Sequence, residues 1–117
     1  MKFICYPKCN TCKKAGIWLK EKGIETEYRD ISIDNPTYDE LKSWVTISGL
    51  PLKRFFNTSG LKYKELALKD KLPSMNKEEQ LRLLATDGLL VKRPILLAEG
   101  FVLVGFKEEE WAARLLP

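Results

Sequence analysis

Apolar and polar positions along the chain follow two periods, and the period changes mark the elements. Residues 2–6 (KFICY) form a short β-branched and aromatic run stopped by Pro7, which predicts a buried first strand. From Asn10 or Thr11 to Lys22, Ala15, Trp18 and Leu19 recur at helical spacing, and Gly23 supplies a C-terminal stop. Residues 25–31 (ETEYRDI) predict a second strand, less hydrophobic and near a sheet edge. Strand, helix and strand within about thirty residues imply parallel pairing through a right-handed crossover.

The middle of the chain reads as helical. Asp34-Asn35-Pro36 turns the chain, and Thr37 caps a helix with Glu40 in capping-box position and Leu41, Trp44 and Val45 inward, ending near Gly49. Pro51 begins a short helix through Phe55-Phe56, Asn57-Thr58-Ser59-Gly60 is a turn, and residues 62–68 predict a further helix. Asn76 caps residues 77–85, with Glu79 completing the box and Leu81, Leu83 and Leu84 behind it. After Asp87-Gly88 the strand period returns. Pro94 leads into residues 95–97, Glu99-Gly100 is a tight turn, and residues 101–104 pair back antiparallel. Residues 107–116 close the chain as a helix with Trp111 and Leu115 inward. The order is βαβ, helical insert, ββα, in one α/β domain over residues 1–117 with the insertion at about 36–88.

Composition narrows the function classes. The 117 residues are 44% hydrophobic and 31% charged, which is globular and large enough to bury a core without disulfides. No apolar stretch approaches the roughly 18 residues of a membrane span, and the opening MKFICYPKC has too short an apolar run for a signal peptide. A cytoplasmic location, where thiols stay reduced, is therefore expected. The net charge of +4 comes from basic residues scattered among acids, so a direct nucleic-acid interface is not expected. The chain has no histidine, which excludes Cys-His and Ser-His-Asp nucleophile systems.

The candidate chemistry lies in YPKCNTCKKA. Cys9 falls where the first strand hands over to the first helix, and the unpaired N–H groups and dipole of a helix start favour a thiolate there. Lys8, Lys13 and Lys14 add positive potential. Cys12 is one helical turn on, on the same face, at a separation a disulfide can span. The pair thus reads as an attacking thiol, Cys9, and a resolving thiol, Cys12, with Asn10 and Thr11 as supporting residues of the loop. Two other readings stay open: half a zinc site, although three cysteines without histidine fall short of four ligands, or two inert buried thiols. Cys5 alternates with Phe3 in the strand and reads as core, with a role as a backup thiol left open. Arg93-Pro94 reads as a strand start, and sequence alone does not separate a cis from a trans bond.

Together YPKCNTCKKA, FFNTSGLKYKEL, DGLLVKRPILL and VGFKEEEW resemble the arsenate reductase-like (ArsC/Spx) family, nearly end to end, and most closely its uncharacterised reductase-like branch. The resemblance implies a thioredoxin-like fold with a mixed central sheet flanked by helices. It implies that Cys9 is the catalytic thiol and that Cys12 makes a reversible CxxC disulfide with it. It also implies that Arg93 holds an anion or thiolate near Cys9, beside a cis Pro94, with Lys13 adding local positive charge. The family's arsenate reductases surround the oxyanion with three arginines. Here Ser59 stands at the second position, Phe106 or Lys107 at the third, and Cys5-Tyr6 replaces a His-Asn pair. Losing two charge-assisted contacts of about 1.5–3 kcal/mol each weakens oxyanion capture by orders of magnitude, so arsenate reduction itself is not expected. The expected protein is a thiol-disulfide oxidoreductase, monomeric and without a bound cofactor. Its implied partners are a thioredoxin- or glutathione-type reductant and a disulfide or other oxidised substrate. The alternative that the resemblance implies is a redox-sensing transcriptional regulator that binds the C-terminal domain of the RNA polymerase α subunit.

Overall fold

A computed structural model describes residues 1–117 and joins four strands into one mixed sheet, in the order β2-β1-β3-β4. β1 (Lys2–Cys5) runs parallel to β2 (Glu27–Asp30) and antiparallel to β3 (Ile95–Ala98), which forms a hairpin with β4 (Phe101–Val104). The α1 helix (Asn10–Glu21) makes the crossover between β1 and β2. Between β2 and β3 lie α2 (Tyr38–Ser48), α3 (Leu61–Glu65), α4 (Leu68–Lys71) and α5 (Lys77–Leu84), with single 3-10 turns at Leu52–Phe55, Leu72–Ser74 and Gly88–Leu90. The chain closes with α6 (Glu108–Leu115). The element order βαβ, helices, ββα is the one expected, and β2 is an edge strand. No helix is long and apolar enough to cross a membrane.

Side-chain alternation along the strands divides the core in two. Ile4, Ile95, Val102 and Val104 face a cluster with Leu41, Trp44, Phe55, Phe56, Leu81 and Leu84 from the helices between β2 and β3. Phe3, Cys5, Leu96 and Leu103 face the other way, onto Cys12, Ala15, Trp18 and Leu19 of α1 and Trp111 of α6. Trp111 anchors this second cluster. Its Nε1 donates to the Gly105 carbonyl at 3.0 Å, and it meets Phe106 edge-on at 5.0 Å and Trp18 at 6.3 Å. Trp18 Nε1, also buried, has no hydrogen-bond partner.

Local chemistry explains most element ends. Thr37 and Asn76 each accept the N–H three residues on, and Glu40 and Glu79 return the bond, so both expected capping boxes are present. Glu40 also takes both Nη groups of Arg29, at 2.7 and 2.9 Å, which ties β2 to the start of α2. One expectation needs correction. Residues 62–68 are not one helix, because the chain breaks at Ala67 in the left-handed region with φ 51°. Tyr63 and Leu68 are both buried, yet in a continuous helix five residues rotate a side chain about 140° away. The break turns Leu68 inward. β1, β2, α1 and α6 are shorter than expected by one to three residues, where ends leave the sheet or fray, whereas β3 runs one residue further, to Ala98, and β4 spans the residues expected.

Candidate thiol site

β1 ends at Cys5, Pro7 and Lys8 turn the chain, and Cys9 becomes the N-cap of α1 with φ −89° and ψ 120°. Its N–H donates to the Tyr6 carbonyl at 3.0 Å, and its own carbonyl accepts from Lys13 at 3.1 Å, which closes the first turn. A cysteine at this position leaves the first-turn amides without a side-chain acceptor, since Cys9 Sγ caps none of them. Cys9 is half-buried; Asn10, Thr11 and Lys13 are exposed on the same turn.

The backbone amide that does reach a sulfur goes to Cys12. Tyr6 N–H donates to Cys12 Sγ at 3.4 Å. Cys12 lies under α1 at 5% exposure, in contact with Cys5 at 1%. All three thiols are free. The pKa of Cys12 is lowered to about 7, chiefly because the Cys5 S–H donates to it, with further help from the Tyr6 amide, the Cys9 thiol and the charge of Arg93, against the opposing effect of burial. Cys5 is pushed up strongly: it keeps the proton it shares with Cys12, and burial and the neighbouring sulfurs disfavour its anion. Cys12 is thus the thiol of the three whose surroundings favour its anion. No group of three or more Cys, Asp or Glu side chains is arranged to hold a metal ion.

Arg93 sits across the sheet end. The β1–β3 register pairs Ile4 with Ile95, so its continuation sets Pro94 opposite Cys5 and Arg93 opposite Tyr6. The Arg93 guanidinium lies 5.1 Å from the centre of the Tyr6 ring, and its Nη1 donates to the Leu89 carbonyl at 3.2 Å. The Arg93-Pro94 bond is cis, and the Pro94 carbonyl accepts from Gly105 N–H at 2.8 Å. The other four arginines are placed elsewhere. Arg29 is held by Glu40, Arg82 by Glu78 and the Tyr38 ring, and Arg114 lies over Phe101. Arg54 shares a separate basic recess with Lys53 and Lys92. Ser59 is exposed and donates to Asn57 Oδ1 at 3.4 Å, and Lys107 is exposed at the start of α6. One guanidinium, not three, therefore faces the thiols.

The structure brings Cys9, Cys12 and Arg93 to one end of the sheet, with Pro94 beside them and Lys13, Asn10 and Thr11 on the rim. Sequence reasoning missed the contacts of Cys5 and Tyr6. Strand alternation did signal that Cys5 points to one face of the sheet, but not that α1 would lay Cys12 upon it.

The model of the ArsC family matches residues 5–114 of this chain. The Bacillus subtilis protein YusI is 52% identical over 109 residues, covering 93% of this chain and 92% of that protein. A Bacillus anthracis protein named global transcriptional regulator Spx 2 is 30% identical over 102 residues, covering 87% of this chain and 76% of its own length. Among solved structures, an ArsC family related protein from Bacteroides fragilis superposes with a TM-score of 0.93 at 60% identity, covering 97% of each chain.

Proposed function

The chain belongs to the ArsC family, and from that membership we propose a thiol-disulfide redox protein in which Cys9 attacks and Cys12 resolves. Its fold is the thioredoxin-like α/β fold of that family. The observation that carries the reading is the set of three neighbouring thiols where β1 hands over to α1, with a half-buried Cys9 at the mouth and, behind it, Cys12 with its pKa lowered to about 7.

The steps follow from that layering. Cys9 sulfur attacks a substrate disulfide while its proton passes to the Cys12 thiolate beside it; one substrate thiolate leaves and a mixed disulfide forms. Cys12, losing that proton to the departing thiolate, attacks Cys9 sulfur and expels the second half of the substrate as a thiolate, which takes its proton from water. A thioredoxin- or glutathione-type reductant then reopens the Cys9–Cys12 disulfide. With a pKa of about 7, Cys12 resolves near neutral pH without a separate base, and Arg93 adds positive charge to the same end of the sheet. Arsenate is not the substrate assigned, because Arg93 lacks the two companion arginines an oxyanion cage needs. Reductant-coupled turnover of a model disulfide tests the reading. Turnover abolished by Cys9→Ser, and Cys12→Ser protein trapped as a mixed disulfide, support it; full activity of Cys9→Ser ends it.

The relative named a global transcriptional regulator favours a second reading, in which the same disulfide toggles docking to the C-terminal domain of the RNA polymerase α subunit. That reading requires redox-dependent binding to the purified domain and no turnover. A cytoplasmic, reducing compartment suits both readings.

A further inference from the structure

We propose that the recess between α1 and the edge strand β2 binds organic hydroperoxides with an apolar body, and that Cys12 is the sulfur that reduces them. The proposal rests on the redox reading of the pair and names a substrate class for it. The recess holds about 330 Å³ and is lined by Phe3, Cys5, Cys12, Gly16 and Tyr28, with exposed Lys13 on its rim. Cys9 does not line it, so this approach to the pair is separate from the mouth at the N-cap. A second recess of about 360 Å³ adjoins it, sharing Phe3 and Gly16 and continuing along α1 to Ile24.

Two features point to a ligand there. Tyr28 stands 54% exposed on the edge strand and meets the buried Phe3 edge-on at 6.3 Å, so the recess has an aromatic wall whose Tyr28 half is left open. Gly16 lies inside α1, where glycine is destabilising relative to alanine. Its φ is not positive, and a Cβ would sit 3.6 Å from the Phe3 ring, an ordinary contact. Neither backbone nor packing calls for glycine, but any longer side chain would fill the recess floor.

The recess suits a hydroperoxide better than a disulfide. Both reactions displace a leaving group in line with the attacking sulfur, but in disulfide exchange the attacked sulfur carries its own carbon substituent, which must be seated against the buried Cys12. In R–O–O–H the attacked terminal oxygen carries only a proton, and the leaving alkoxide with its apolar body points away from Cys12 Sγ along the recess. Cys12, with its pKa lowered to about 7, supplies the anion. The thiolate attacks the terminal oxygen; the S–O bond forms, the O–O bond breaks, and the alkoxide leaves and takes a proton from water or the Lys13 ammonium as R–OH. Cys9 sulfur then attacks the Cys12 sulfenic acid and water departs, leaving the Cys9–Cys12 disulfide. The hydroperoxide is reduced by two electrons and the two thiols are oxidised by two.

The test uses full-length protein carrying Cys5→Ser and Cys9→Ser, which removes both thiols that could close a disulfide on Cys12 and keeps a donor at residue 5, so that oxidation stops at Cys12, trapped as its sulfenic acid by dimedone and read by mass spectrometry. Cumene hydroperoxide is expected to modify Cys12 at least about tenfold faster than hydrogen peroxide, because only the former buries an apolar body. Gly16→Leu, which fills the floor, is expected to bring that ratio near one. Tyr28→Ala, on an exposed edge and safe for folding, is expected to lower it several-fold. Equal rates for the two peroxides, or a ratio that survives both substitutions, overturn the proposal. Diamide treatment of the wild-type protein separates the failures. A Cys9–Cys12 disulfide with equal peroxide rates removes the recess alone, whereas no disulfide removes the redox reading on which it rests.

Discussion

Cys5→Ala should raise the pKa of Cys12. The buried Cys5 S–H is the largest influence holding Cys12 at about 7, and alanine removes the donor while keeping a small apolar group. A hydrogen bond to a charged partner contributes about 1.5–3 kcal/mol, and a thiol is a weak donor, so the low end applies. At 1.36 kcal/mol per unit that is about one unit, which moves Cys12 to about 8. At pH 7 the thiolate fraction then falls from about one half to about one tenth, but a more basic thiolate is also a better nucleophile by roughly threefold. Reaction rate at one pH therefore changes only about twofold, and the midpoint of the pH profile is the discriminating quantity. The assay is thiolate ultraviolet absorbance, or iodoacetamide alkylation, against pH in a Cys9→Ser background. Cys5→Ser, which keeps a donor, should leave the midpoint within about half a unit. An unchanged or lower midpoint in Cys5→Ala would refute the assignment of Cys5 as the donor.

The remaining expectations concern the frame around the site. Arg29 holds the Glu40 carboxyl down to about 2, so its contribution is present above the ordinary carboxylate pKa of about 4.5 and is lost as pH falls from there through about 2. Because the Glu40 side chain is 36% exposed, screening reduces that contribution to about 1 kcal/mol. Glu40→Gln should thus cost about 1 kcal/mol by urea denaturation at pH 7, and the difference should close by about pH 2. Gly88→Ala would place a Cβ 1.9 Å from the Ile31 carbonyl, a backbone clash; the melting temperature by circular dichroism should fall by more than about 10 °C. Trp111→Phe orphans the Gly105 carbonyl, whereas Trp18→Phe deletes a buried N–H that has no partner. Trp111→Phe should therefore be the more destabilising by about 1 kcal/mol or more in denaturant titrations.

What was legible in the sequence is what short stretches decide. Thr37 with Glu40 and Asn76 with Glu79 announce helix starts because the donors and acceptors lie within one turn. The two cysteines spaced one turn apart place both sulfurs on one helix face wherever that helix docks. The break at Ala67 was not legible, since LKYKELALKDK carries good helix formers throughout and only the need to bury both Tyr63 and Leu68 bends it. The bond from Cys5 to Cys12 depends on the seating of α1 over β1, and the stacking of Arg93 on Tyr6 depends on strand register. Both are agreements between segments distant in sequence, which no local pattern encodes.

The division of the core by the sheet sets how disturbance spreads. The larger apolar cluster, on the side of the helices between β2 and β3, shares strand backbone but few side chains with the smaller one that houses the sulfurs. α1 can therefore loosen to let Cys9 and Cys12 join or part while the opposite layer stays shut, so oxidation should register as local breathing and not as melting. Amide hydrogen exchange comparing the two redox states would then light up α1 and α6 and leave α2 and α5 dark.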